Sequence, residues 1–170
     1  EYDGVTLLLF SPDSHRTAYT GRRDGQWYQV LDGVESPACE GIEDSSQFCP
    51  DSRQFFWVAK RRGKYRLVSN LQEQGSEYDL AGKVKISPNS RHVAFLAARG
   101  GVVGNASDNY FIVVDGREGP ACGGILRIAF DGNRTIHAIG MRMNPETFED
   151  EVVRIKLLIT EDSDGLGETR

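Results

Sequence analysis

The 170-residue sequence contains no hydrophobic run long enough to span a membrane, and none of its segments is expected to be a secretion signal. Cysteine and histidine are scarce, with three of each. The cysteines, Cys39, Cys49 and Cys122, have no metal-ligand spacing, and their odd number excludes full pairing within the chain. Because a nucleophile elbow, a zinc-binding helix motif and a phosphate-binding loop are also missing, the sequence predicts no enzyme and no cofactor.

Helical spacing of apolar residues is absent as well, since no segment keeps it over ten or more residues. Short runs of Val, Ile, Leu and aromatic residues are instead separated by Pro, Asp, Ser and Gly, which is typical of strands joined by turns. Near the start we expect strands at 5–10, 17–21 and 27–31. A short outer strand is expected near 37–42, and again near 120–125. The chain is therefore predicted to be all-β.

What the chain does contain is a repeat. The sequence FSPDS at 10–14 returns as FCPDS at 48–52 and as ISPNS at 86–90, in two steps of 38 residues. Other residues fall in register with it: Tyr19, Trp57 and Phe95; Trp27 and Tyr65; Gly25, Gly63 and Gly101; Asp32 and Asn70. A period near 40 with strand-like segments predicts a β-propeller in which each repeat is a four-stranded antiparallel blade.

Four such repeats fit the chain. The third holds a Gly-rich insertion at 100–108, which places Tyr110 and Asp115 in register, and the fourth is degenerate. We expect blades at about 5–42, 43–81, 82–125 and 126–160. We expect an acidic flexible tail at 161–170. In the tail Asp162, Asp164 and Glu168 form a fragment of a calcium loop with too few oxygens, which favours a linker over a metal site.

The repeat resembles a known family. Its turn, the basic residue after the turn, the hairpin glycine and the sequence VVDGREGP at 113–120 resemble the WD-like propeller repeats of TolB-type bacterial proteins. The resemblance covers the chain up to about residue 160 and implies a propeller in the periplasm or outside the cell, whereas unpaired cysteines fit a reducing compartment. Cys49 and Asn89 depart from the pattern, where Ser and Asp are usual.

The predicted propeller could be closed in three ways. Residues 1–4 resemble the outer strand of a preceding blade and could complete the last blade as a closing strand. The four blades could also be part of a larger ring. Alternatively, two chains could pair as a homodimer with eight blades.

Basic residues recur in one hairpin of successive repeats, and they are the predicted binding residues: Arg22, Arg23, Lys60, Arg61, Arg62 and Arg99. Equivalent hairpins share one face of a propeller, so the sequence predicts a partial ring of cations that attracts an anionic partner. The alternative is that these charges only solvate the hairpins. A net charge of −5 argues against nucleic acid as the partner.

The predicted function is a non-catalytic module that binds a protein or peptide through a loop face or the central opening. The alternative is a propeller domain that gates or positions substrate for a larger enzyme such as a peptidase. His15 and His92 are expected at turns into strands, where they face solvent. The recurring aromatic residues are expected to pack within the blades.

Overall fold

The chain, described here from a computed structural model, is all-β over residues 1–100, 109–144, 146, 147, 149–160 and 166–168. Its strands in the described residues are β1 (Gly4–Phe10), β2 (Thr17–Arg23), β3 (Gln26–Leu31), β4 (Val34–Glu35), β5 (Gly41–Ile42), β6 (Gln47–Phe48), β7 (Phe55–Arg61), β8 (Lys64–Ser69), β9 (Gln72–Tyr78), β10 (Leu80–Ile86), β11 (Val93–Arg99), β12 (Asn109–Val114), β13 (Arg117–Glu118), β14 (Gly124–Asp131), β15 (Thr135–Met143), β16 (Asp150–Ile159) and β17 (Leu166–Glu168). The part of the chain that the structure describes contains no helix, and so none that could cross a membrane.

The strands form four antiparallel sheets in chain order. The first sheet is β1-β2-β3-β4, the third is β10-β11-β12-β13 and the fourth is β14-β15-β16-β17. In the second sheet β5 and β6 both pair with β7, which is followed by β8 and β9. The chain divides into two compact units, Glu1–Val84 and Lys85–Arg170.

The Pro-Asp turn closes through the same hydrogen bonds in the first and third repeats. Ser11 Oγ donates to Asp13 Oδ1 at 2.6 Å and accepts the Arg16 amide at 2.9 Å. Ser87 Oγ donates to Asn89 Oδ1 at 2.7 Å and accepts the amide of the equivalent residue, His92. Since Asn supplies the same acceptor as Asp, the departure at Asn89 leaves the turn intact.

Tight two-residue hairpins join the second and third strands of the first two sheets, as the sequence predicts. Asp24 and Gly25 have φ of 53° and 76°, and Arg62 and Gly63 have φ of 51° and 74°. Positive φ at both central residues is the conformation whose twist matches antiparallel strands, and it favours glycine at the second position.

The core of the first unit lies between the first and second sheets. Its fully or largely buried members are Ala18, Leu31, Cys39, Phe55, Trp57, Ala59 and Val68. The recurring aromatic position is central here, because Trp57 is completely buried and its Nε1–H donates to the Asn70 carbonyl oxygen at 2.6 Å. The expected role of Trp57 in packing is confirmed.

The outer strand lies elsewhere than predicted. It is Val34–Glu35, directly after a turn at Asp32 and Gly33 with positive φ at both residues. Cys39 adds an isolated bridge to Trp27, and Gly41–Ile42 pairs with β7 in the second sheet. The expectation of a strand over 37–42 therefore merged the end of one sheet with the start of the next.

Residues near both ends of the chain contact the first or the fourth sheet. Asp3 donates its backbone amide to the Arg22 carbonyl at 2.8 Å, and the Tyr2 ring packs on Tyr19 with centroids 6.0 Å apart, so residues 1–4 contact the first sheet. In the expected tail, Leu166–Glu168 pairs with β16. The insertion at 101–108 and the acidic residues 161–165, with Asp162 and Asp164, lie outside the described residues.

The three cysteines form no disulfide with one another. Cys39 and Cys49 are buried, whereas Cys122 is half-buried. Burial raises the pKa of Cys49 to about 11, aided by the Asp51 carboxylate, and burial also raises the pKa of Cys39.

Because the thiolate is the reactive form, alkylation of the native protein by iodoacetamide is expected to modify Cys122 first. Cys39 and Cys49 should react only after addition of urea. Peptide mass spectrometry of a time course measures the order, and rapid native labelling of Cys49 would contradict the burial.

Candidate functional site

The predicted binding residues lie at hairpins, but half of them are neutralised within their own sheet. Arg23 pairs with Glu35 at 3.1 Å, Arg61 pairs with Glu73, and Arg99 pairs with Glu118 at 2.6 Å. Each arginine ends a second strand, and each glutamate lies in the fourth strand of the same sheet. This repeated ion pair crosses the third strand and lowers the positive charge of the hairpin face.

The other three predicted residues, Arg22, Lys60 and Arg62, form no ion pair within 4 Å among the described residues, although Lys60 interacts electrostatically with Glu43. The Arg22 guanidinium lies 5.6 Å from the Trp27 ring centroid, and the Lys60 ammonium lies 5.2 Å from that of Tyr65. Arg62 is exposed on its turn. The cationic surface that remains in the first two sheets therefore consists of these three residues, which we call the hairpin cations.

An aromatic and charged cluster covers one face of the first sheet. The Tyr2 hydroxyl donates to Glu35 Oε1 at 2.7 Å, and the Arg23 guanidinium lies 4.6 Å from the Tyr28 ring centroid. Burial and the bond to Glu35 raise the pKa of Tyr2 to about 12, while Arg23 holds the pKa of Glu35 below its usual value. A Cβ on Gly21 would lie 2.6 Å from the Tyr2 ring, so glycine makes room for the tyrosine.

A pocket of about 430 Å³ lies on one face of the fourth sheet. Its lining residues are Arg127, Ala129, His137, Ala138, Ile139, Val152, Val153 and Arg154. His137 is held between Asp131 Oδ2, 3.1 Å from Nε2, and the Arg154 guanidinium, 3.2 Å from Nδ1. The described lining contains no serine, threonine or cysteine, so this histidine has no nucleophile beside it.

The sequence analysis did not find this pocket. The feature of β14, β15 and β16 that indicates the pocket is the alternation of side chains between the two faces of the sheet. It places exposed Ala129, Ile139 and Val152 on the same face as Arg127 and Arg154. An apolar face with charged neighbours is typical of a sheet surface that is half of an interface.

The remaining histidines are bound to carboxylates near turns. His92 Nδ1 lies 2.7 Å from Asp115 Oδ2, and His15 Nδ1 lies 3.6 Å from Asp13 Oδ2. Across the described ranges, no three metal-ligating side chains come together. Among the described residues, neither imidazole forms a hydrogen bond with a serine, threonine or cysteine side chain.

Glu43 is a half-buried carboxyl in the first unit. Burial raises its pKa, Asp44 raises it further, and Lys60 opposes both. A folded-state pKa above the unfolded value means that the folded state binds the proton more tightly. The resulting stabilisation is complete below the unfolded pKa and is lost as pH rises through the folded pKa.

Replacing Glu43 with glutamine should therefore raise the free energy of unfolding at neutral pH. The increase in stability that the wild-type protein gains as the pH is lowered should become smaller in the variant. Urea midpoints measured between about pH 4 and pH 7 test this, with exposed Glu1→Gln as the matched control. A Glu43→Gln variant with the wild-type pH profile would contradict the assignment.

Comparisons with protein-family models and with curated proteins find no match. Among solved structures, the chain is similar to the β-propeller domain of the Trilobed protease from Pyrococcus furiosus, with a TM-score of 0.60 and 13% identity over 96% of this chain and 57% of that one. The tricorn protease gives a TM-score of 0.57 and 10% identity over 95% of this chain and 18% of that one. A puromycin-hydrolyzing peptidase from Mycobacterium tuberculosis gives 0.53 and 12% identity over 92% and 28%.

The chain thus spans at most 57% of the length of these structures. They support the propeller predicted from the repeats, but not its TolB-type family. The number of blades stays a prediction. Likeness at this level of identity concerns the fold alone, and that fold is a β-propeller.

Proposed function

We propose that the chain is a non-catalytic part of a β-propeller that binds polypeptide and positions it for a larger enzyme. The observation that carries this proposal is the similarity of nearly the whole chain to propellers of proteases and peptidases. An enzyme that cleaves polypeptides needs a part that holds an extended chain, and a propeller offers sheet edges and loop faces for that purpose.

The first strands of the sheets support binding of an extended chain. Each lies at the edge of its described sheet. Leu7 in β1 and Lys83 in β10 both have positive φ, at 52° and 53°, and the β14 register shifts between Ile125 and Arg127. Irregularities of this kind are common beside binding sites.

Fluorescein-labelled β-casein, an unfolded polypeptide, tests this function. We expect a saturable rise in fluorescence anisotropy without release of short peptides, and no rise with labelled native lysozyme as a folded control. No binding of casein at the highest soluble protein concentration would reject the proposal. Peptide release that disappears in His137→Ala would instead make the chain an enzyme.

A second candidate is an independent module that binds an anionic protein or peptide. It is favoured by the hairpin cations, Arg22, Lys60 and Arg62, which form no close ion pair among the described residues. Such a surface acts mainly through long-range attraction, which salt screens.

A double change, Arg22→Glu with Arg62→Glu, should weaken binding of a labelled polyglutamate peptide at low salt and have little effect at high salt. Anisotropy titrations at both salt concentrations measure this. The matched control is Arg127→Glu with Arg154→Glu, which reverses the same charge on the fourth sheet. Equal affinities for both double variants would remove the hairpin cations as a site.

A further inference from the structure

The fourth sheet has a charged residue at a position that is buried and uncharged in the other three sheets. The third strands align at Trp27, Tyr65, Tyr110 and Val152. Three of these four pair with a second-strand residue that itself pairs with a first-strand glycine, and Tyr110 forms the same isolated bridge as Trp27. Two residues further along the third strands lie Gln29, Leu67, Ile112 and Arg154. The first three are at most 4% exposed, whereas Arg154 is exposed.

The second strand shows the same difference. Four residues before the second-strand member of this alignment lie Ala18, Phe56, Ala94 and His137, of which the first three are buried. A charged side chain placed at such a dry position would lose its hydration, which costs several kcal/mol. The face of the fourth sheet that carries Arg154 and His137 is therefore built differently from the packed faces of the other sheets.

His137 is fixed by two neighbours at the pocket of the fourth sheet. A guanidinium only donates hydrogen bonds, so Arg154 donates to Nδ1 at 3.2 Å and the imidazole proton lies on Nε2. The Nε2–H group then donates to Asp131 Oδ2 at 3.1 Å. This arrangement holds the Arg154 guanidinium at the pocket without neutralising its charge.

A second arginine lies in the same row of the sheet. Arg127 pairs with Ile139 and Ile139 pairs with Arg154, so the two arginines lie on one face, two strand spacings or about 10 Å apart. Neither forms an ion pair within the part of the chain that the structure describes. The Ile139 side chain lies between them, and Ala129 and Val152 line the pocket beside it. The pocket thus combines two positive charges with an apolar surface.

We propose that this pocket binds a small organic carboxylate with an apolar body. The carboxylate lies between Arg127 and Arg154 and accepts hydrogen bonds from their guanidinium groups, while the apolar body lies on Ala129, Ile139 and Val152. A volume of about 430 Å³ is in the range of pockets that hold small molecules. The site goes beyond the polypeptide binding proposed above, because it uses neither a sheet edge nor the hairpin cations.

Isothermal titration calorimetry with octanoate at fixed ionic strength tests the site. Octanol, which has the same chain length without the charge, and acetate, which has the charge without the chain, are the reference ligands. We expect octanoate to bind about tenfold more tightly than either, because it alone uses both the arginines and the apolar residues. Equal affinity for octanol or for acetate would overturn the proposal, since half of the site would then be unused.

Variants of the pocket test whether octanoate binds there. Arg127→Gln with Arg154→Gln should weaken octanoate binding about tenfold, whereas Arg134→Gln, on the hairpin of the same sheet, should leave it unchanged. Equal affinities for these two proteins would contradict the site.

Ile139→Glu provides a second test that keeps both arginines. It places a carboxylate of the chain itself between them, so octanoate binding should be lost while the circular dichroism spectrum stays that of the wild type. Octanoate bound as tightly by Ile139→Glu as by the unmodified chain would overturn the proposal.

Discussion

Replacing Trp57 with alanine is expected to lower the free energy of unfolding by about 3–5 kcal/mol, as is usual for a buried aromatic side chain. The indole is completely buried between the first and second sheets, where it packs with Phe55 and Val68. Its removal leaves a cavity between the two packed sheets, and the Asn70 carbonyl loses the donor now 2.6 Å away. Urea denaturation followed by circular dichroism measures the change.

Tyr19→Ala is the matched control, because Tyr19 holds the position of Trp57 in the first sheet. Its ring is half-buried and packs on Tyr2 instead of on another sheet. The expected loss is less than half of that for Trp57→Ala. Equal losses at the two positions would mean that burial between sheets is not what makes Trp57 stabilising.

Much of the fold could be predicted because the repeat carries its turn chemistry in the sequence. Asp32, Asn70 and Asp115 recur at one position, where each takes positive φ and accepts the backbone amide at or next to the start of its second strand. Asp and Asn favour such turns for this reason, so the residue type predicts the geometry. The second and third strands follow with bounds close to those predicted.

The outer strands were placed wrongly because they are too short to have a pattern. Val34–Glu35 has only two residues, and Gly41–Ile42 belongs to the next sheet although only a short connection separates them. Hydrophobic alternation needs at least four residues to distinguish a strand from its neighbours. Here the hydrogen bonds of Cys39, not its sequence context, decide where the first sheet ends.

The predicted binding residues at the hairpins show which contacts the amino-acid sequence alone does not predict. Arg23 and Arg61 were predicted as members of a ring of cations, yet each pairs with a glutamate that follows twelve residues later, Glu35 or Glu73. That spacing acquires meaning only once the third strand is known to lie between the two side chains. The pocket of the fourth sheet was missed for the same reason, since its three strands become one surface only through their register.

The turn at Asn70 leads to a second large expected effect. Its Oδ1 accepts the amide of buried Phe55 at 3.1 Å, and its φ is +52°. Asn70→Ala leaves that amide unsatisfied and places an alanine in the left-handed region, which together should cost about 2–4 kcal/mol. Urea denaturation of the variant measures the loss.

The variant Asn70→Asp changes the residue but keeps an oxygen acceptor for the Phe55 amide, so it tests whether loss of this hydrogen bond causes the destabilisation. Asp32 and Asp115 occupy the same turn with φ of 51° and 50°, and their carboxylates accept the amides of Thr17 and Val93 at 2.9 Å. The aspartate variant should therefore stay within about 0.5 kcal/mol of wild type. If Asp were as destabilising as Ala, the acceptor at Oδ1 would not be what the turn requires, and the equivalence of the repeats at this position would fail.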